Sequence, residues 1–222
     1  MSNTKYIKIQ EPKIFNDNTV IFELSYSKDV KKYFWSNKLY VKYEKSIENV
    51  DLSILQIPAV SGIITVAWAL GADVYIEELD KTYLESLSKI KPVIERLHLN
   101  FSCATKINAG NVVSNKFHNE GYGLLFTGGL DSITSYIKHR REKPVLINVW
   151  GTDVRPDDER TWKKVRKMLA DFVDKEGAEL QIIRTNIPRV VNRRVLHNKF
   201  GLQWWLQISH SIVLTGLCAP LT

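Results

Sequence analysis

The sequence predicts an α/β protein in two parts: a small α+β domain over residues 1–115, and over 122–222 a parallel sheet with helices on both faces. Three observations carry this reading. From Tyr122 onward, apolar runs of strand length alternate with amphipathic stretches of helix length, the order produced by parallel strands joined through crossover helices. In the first 45 residues the strand candidates instead crowd together, as a small antiparallel sheet does. Residues 100–123 are mixed and polar, with Gly110, Asn111, Asn115, Asn119, Gly121 and Gly123, the composition of a linker.

Tyr6, Ile7 and Ile9 mark a first strand. The turn-like Asn16, Asp17 and Asn18 precede a second over 19–24, and 39–44 alternates apolar with polar residues as a strand with one wet face should. A helix follows over 58–70, since Pro58 is tolerated in a first turn and Gly71 supplies the stop. Its Val60, Ile63, Ile64, Ala67, Trp68 and Leu70 leave it apolar nearly all round, which predicts burial. Residues 72–76 read as a strand. Asp80 is placed to cap a helix over 81–97 whose Tyr83, Leu84, Leu87 and Ile90 recur at helical spacing, with Pro92 expected to kink or split it.

In the second part the strands are 123–126, 145–150 and 180–184, and the helices are 132–141, 157–176 and 202–217. The last helix carries Leu202, Trp204, Trp205, Leu206, Ile208, Ile212, Val213 and Leu217, too much apolar surface to stand in water. Either the chain is a shortened product, or a homo-oligomer or partner chain covers that helix. Leu124, Leu125 and Phe126 run straight into Thr127, Gly128, Gly129, Leu130, Asp131 and Ser132, where the amphipathic stretch begins. Two glycines permit a sharp turn and close approach of a ligand to the backbone. The helix that follows aims free amides and its positive dipole end at the turn, and Thr127 and Ser132 add hydroxyls. Such a loop suits a phosphate or pyrophosphate. Asp131 is also a natural N-cap for that helix.

No lysine follows the glycines, so this is not a Walker loop, and an adjacent glycine pair is not the spaced dinucleotide fingerprint. The stretch resembles the Ser-Gly-Gly-x-Asp-Ser loop of the N-type ATP pyrophosphatases, the PP-loop superfamily, with Thr127 in place of the first serine. In form it is nearest to 7-cyano-7-deazaguanine synthase-like proteins, although Cys103 and Cys218 are the only cysteines and the zinc-binding cysteines of that branch have no counterpart. The resemblance is specific at the loop and general over 122–222. It implies a Rossmann-like fold of the HUP/PP-loop type that binds ATP and Mg²⁺, adenylates a carboxylate, amide or carbonyl oxygen with release of pyrophosphate, and presents the adenylate to a nitrogen or sulfur nucleophile. Phe126 through Ser132 then form the phosphate cradle, with Asp131 ordering the loop or the magnesium ion. Near the end of the second strand, Asn148 or Val149 is expected to meet adenine through the main chain, and Asp153 to reach ribose or metal. The acceptor is unidentified, with a nucleobase or tRNA among the candidates.

Arg184, Arg189, Arg193, Arg194, His197 and Lys199 form a basic run without an acidic residue. Arginines at that sheet edge would grip the triphosphate or stabilise charge in the transition state. Arg193 and Arg194 join Asp131 and Ser132 as the catalytic candidates, and Lys199 joins Val149 and Asp153 as a nucleotide contact. Two other classes of function fit the same residues: a catalytically inactive ATP-binding regulatory subunit, and an RNA-binding module built on 184–199. The composition is that of an ordinary globular chain, 44% hydrophobic and 25% charged, and the net charge of +7 suits anionic ligands. The two distant cysteines, the polar N-terminus and the shortness of the apolar 57–70 run lead to the expectation of a cytoplasmic protein without a disulfide framework, zinc site or membrane span.

Overall fold

In the computed structural model, which describes residues 4–116 and 121–221, the elements run in order as β1 (Tyr6–Ile9), β2 (Lys13–Phe15), β3 (Thr19–Tyr26), α1 (Lys28–Lys31), β4 (Lys38–Lys42), α2 (Leu52–Leu55), α3 (Ile57–Leu70), β5 (Asp73–Asp80), α4 (Lys81–Leu97) and β6 (Ile107–Val113). There follow β7 (Gly123–Leu125), α5 (Leu130–His139), β8 (Val145–Trp150), α6 (Glu159–Glu176), β9 (Leu180–Thr185), α7 (Ile187–Val190), α8 (Arg193–Phe200) and α9 (His210–Cys218). The architecture is α/β, a mixed sheet flanked by helices. Among the described residues the strands join in the order β6-β5-β1-β3-β4-β9-β8-β7, with β2 also paired to β3.

β7, β8 and β9 are parallel, as expected, and β1, β3 and β4 are antiparallel. One sheet runs through both stretches of the chain, because β4 pairs with β9 at Val41↔Thr185 and Lys42↔Arg184. Strand alternation then sorts the side chains into two apolar layers. Ile147, Val149 and Ile183 enter a large core with β1, β3, β4, β5, α3 and α9, whereas Leu146, Trp150 and Ile182 enter a smaller one beneath α5 and α6. β8 is buried on both faces, which is why it reads as an apolar run interrupted only by Asn148.

Every residue of α3 is buried, and the left-handed Gly71 ends it with φ of 63°. Its outer side receives α9, whose Val213 and Leu217 are buried. The apolar 202–217 stretch is therefore covered within this chain over that length. Asp80 caps α4 as expected, its carboxylate accepting from the Tyr83 amide at 2.7 Å.

Several expectations give way. Pro92 lies inside α4 without splitting it. The predicted linker contains β6, paired in parallel with β5 from Val74↔Ile107 to Asp80↔Val113, while its residues 117–120, Asn119 included, lie outside the described residues. The 202–217 helix starts at Trp204 and is not α-helical throughout: a π-helical turn over Trp205–Ser209 runs directly into α9. The basic run folds into α7 and α8, helped by Pro188 in the first turn of α7 and by Asn192, whose side chain caps α8. Among the described residues no helix is long and apolar enough to cross a membrane.

The α3–α9 contact is close enough that a Cβ on Gly216 would collide with the Ser61 side chain. Gly216→Val is expected to lower stability by about 1–3 kcal/mol, read as a lower midpoint in urea denaturation with an unchanged slope.

Candidate active site

The site begins at Phe126, just past the end of β7. Its amide donates to the Ile147 carbonyl at 2.7 Å, and its own carbonyl accepts from Asn148 Nδ2 at 2.7 Å. Its ring is buried against Phe172, with centroids 4.8 Å apart, and Tyr136. The backbone then turns out of the sheet. Gly128 takes φ of 77°, a left-handed conformation that favours glycine, and the flexible end of the Met168 side chain on α6 lies over it.

Gly129 is the N-cap of α5, and no side chain caps that end. The first amides of α5 thus point outward without a side-chain acceptor, which favours an anion. Asp131 is exposed in the first helical turn and does not occupy the cap position expected of it. Thr127 Oγ1 accepts from the Gly129 amide at 3.3 Å and lies 3.4 Å from Ser132 Oγ, which donates to the Gly129 carbonyl at 2.9 Å. Both hydroxyls therefore stand on one side of the turn. Leu130 is 81% exposed, so the loop lies open on the surface, not packed over.

Because β7, β8 and β9 are parallel, their carboxyl ends share this edge. After β8, Gly151 adopts φ of 132° in a position where a Cβ would strike the Thr185 carbonyl. Val149 has its side chain in the large core, and its carbonyl accepts from Thr152 Oγ1 at 2.9 Å. Asp153 is exposed in the turn that follows. Arg184 is committed elsewhere: its guanidinium lies 3.8 Å from the centre of the Trp150 ring, donates to the Pro156 carbonyl and pairs with Glu159 at 3.1 Å. Trp162 stacks on Trp150 with centroids 4.8 Å apart. Arg184 thus fastens the turn after β8.

Arg189 reaches the Thr152 carbonyl at 3.5 Å. Arg193 and Arg194, in the first turn of α8, line a separate cleft together with His197 and Trp205, and none of residues 126–132 contributes to its walls. Burial, aided by the nearby charge of Arg189, pulls the Arg193 guanidinium below its ordinary pKa. Lys199 lies over the rings of Tyr33 and Phe200 and lines neither the cleft nor the loop. The structure therefore assembles Phe126 through Ser132 in one place, sets Val149 and Asp153 at the neighbouring strand end, and puts Arg193 and Arg194 in a cleft to which no loop residue contributes.

No family model, curated protein or solved structure matches the chain. What the loop can do rests on its own geometry. Asp131 is its one carboxylate, and among the described residues no three His, Cys, Asp or Glu side chains gather to hold a metal ion by themselves. Burial pushes the Cys218 thiol up to about 11 and raises that of Cys103 as well, which makes neither a ready nucleophile.

Sequence reasoning missed the Asn148 side chain. A single amide inside an apolar strand was the available signal, since buried polar groups need partners. Asn148→Leu removes the donor to the Phe126 carbonyl and is expected to destabilise the protein by about 1–3 kcal/mol. Amide hydrogen exchange would show faster exchange over 126–132 than over β9.

Proposed function

We propose that this chain binds ATP at the 126–132 loop of a Rossmann-like, HUP/PP-loop-type unit and uses it to adenylate an acceptor. The observation that carries the reading is the uncapped start of α5 at an exposed Gly-Gly turn with two hydroxyls beside it. Amides of Leu130 to Ser132 hold the outer phosphates as charge-assisted donors, each worth about 1.5–3 kcal/mol, and the Thr127 and Ser132 hydroxyls join them by turning from their bonds within the loop. Several such donors compensate for the lysine that the loop lacks.

Asp131 cannot face a triphosphate without a cation between them, so its carboxylate is assigned to a magnesium site shared with the phosphates. Asp131 would hold the ion there, and a bound magnesium would supply charge neutralisation to the phosphates. An acceptor carboxylate, amide or carbonyl oxygen forms a bond to the α-phosphorus, and the bond from that phosphorus to the bridging oxygen breaks, releasing pyrophosphate. A nitrogen or sulfur nucleophile then displaces AMP. The chain positions the phosphates and stabilises the developing charge.

Pyrophosphate release from ATP and magnesium, measured across a panel of carboxylic acids, amides, nucleobases and tRNAs, tests this. With the correct acceptor, Asp131→Ala is expected to abolish release, and Ser132→Ala to slow it by about tenfold or more. Equal release by the wild type and Asp131→Ala would remove the loop from the chemistry.

A further inference from the structure

The cleft beside α8 has a volume of about 500 Å³, within the range of small-ligand sites. One wall carries Arg193, Arg194 and His197, all from α8, and its two guanidinium groups are cationic. The other is apolar: Trp205 and Leu206 from the π-helical turn. The turn separates two adjacent tryptophans that the sequence leaves alike. Trp204 is buried against Phe101 and Phe200, with centroids 5.7 and 5.9 Å away. Trp205 is half-exposed, with the Arg193 guanidinium 5.9 Å from its ring centre, and Leu206 beside it is 63% exposed. π-turns are frequent at functional sites.

The charges of the cleft are unbalanced. No acidic residue occurs in the sequence after Glu179, and among the described residues Arg193 and Arg194 form no ion pair. Arg193 is partly buried with the like charge of Arg189 nearby, an arrangement that an incoming anion relieves. A half-open indole face beside paired guanidinium groups matches a flat ring carrying a phosphate, by stacking and by forked hydrogen bonds.

We propose that the Arg193–Trp205 cleft binds one nucleotide unit, base on Trp205 and phosphate on Arg193 and Arg194, as a second site apart from the 126–132 loop. The unit arrives either as a free nucleotide or within single-stranded RNA. The inference does not depend on ATP chemistry at the loop.

Isothermal titration of the full chain with UMP, uridine, inorganic phosphate and a single-stranded uridine hexanucleotide tests it, uridine avoiding any adenine specificity at the loop. UMP or the hexanucleotide is expected to bind at least about tenfold more tightly than uridine or phosphate. Trp205→Leu and Arg193→Gln are each expected to weaken that binding by about tenfold or more, and the exposed Arg194→Gln, which folds without difficulty, by about threefold or more. Gly128→Val, which disrupts the loop, should change it by less than about twofold. Equal affinity for UMP and hexanucleotide indicates the free nucleotide. Tighter hexanucleotide binding that falls steeply with salt indicates RNA. The inference is overturned if neither ligand binds, if all three cleft variants bind as the wild type does, or if Gly128→Val abolishes binding.

Discussion

Both backbone polar groups of Phe126 are tied to β8, its amide to the Ile147 carbonyl and its carbonyl to the Asn148 side chain, while its ring packs with Phe172 and Tyr136. One residue later the backbone is exposed, and the next helix starts without a side-chain cap. The proposed site depends on this contrast. A fixed strand end sets where the turn begins, and the first amides of α5 have no side-chain acceptor. Rigid support beneath the loop favours a phosphate site, because the donors then require little reorganisation on binding.

The front of the chain contributes to that rigidity. β9 borders β8 on one side and β4 on the other, and side chains reinforce the join. Thr185 donates to the Tyr40 carbonyl at 2.7 Å, and Asn186 accepts from the Tyr40 amide at 2.9 Å. Glu44 accepts from the Ile182 amide at 2.9 Å, while Tyr43 donates to the Leu217 carbonyl at 3.0 Å. Below the sheet, α3 forms one side of a core that takes residues from β1 to α9. Residues 4–115 are thus part of the platform on which the carboxyl ends of β7, β8 and β9 are held.

How much of this the sequence discloses follows from where each signal resides. The limits of β8 are plain because a strand buried on both faces must be continuously apolar, and α3 and the Asp80 cap are plain because their determinants are local. β6 is hidden: Ile107-Asn108-Ala109-Gly110-Asn111-Val112-Val113 has little alternation, and its ladder to β5 supplies the order. The basic run conceals α7 and α8 because charge suggests surface, although Pro188 and Asn192 carry start signals. Within the site, the loop residues announce themselves by adjacency. The Asn148–Phe126 bond joins neighbouring strands, so it has no local sequence pattern.

The central claim is that the turn after Phe126 receives a triphosphate. A crystal structure of the full chain with magnesium and a nonhydrolysable ATP analogue addresses it most directly. The account predicts phosphate oxygens within about 3 Å of the amides of Leu130 to Ser132 and of the Thr127 or Ser132 hydroxyl. Phosphates bound elsewhere, with that turn empty, would contradict it.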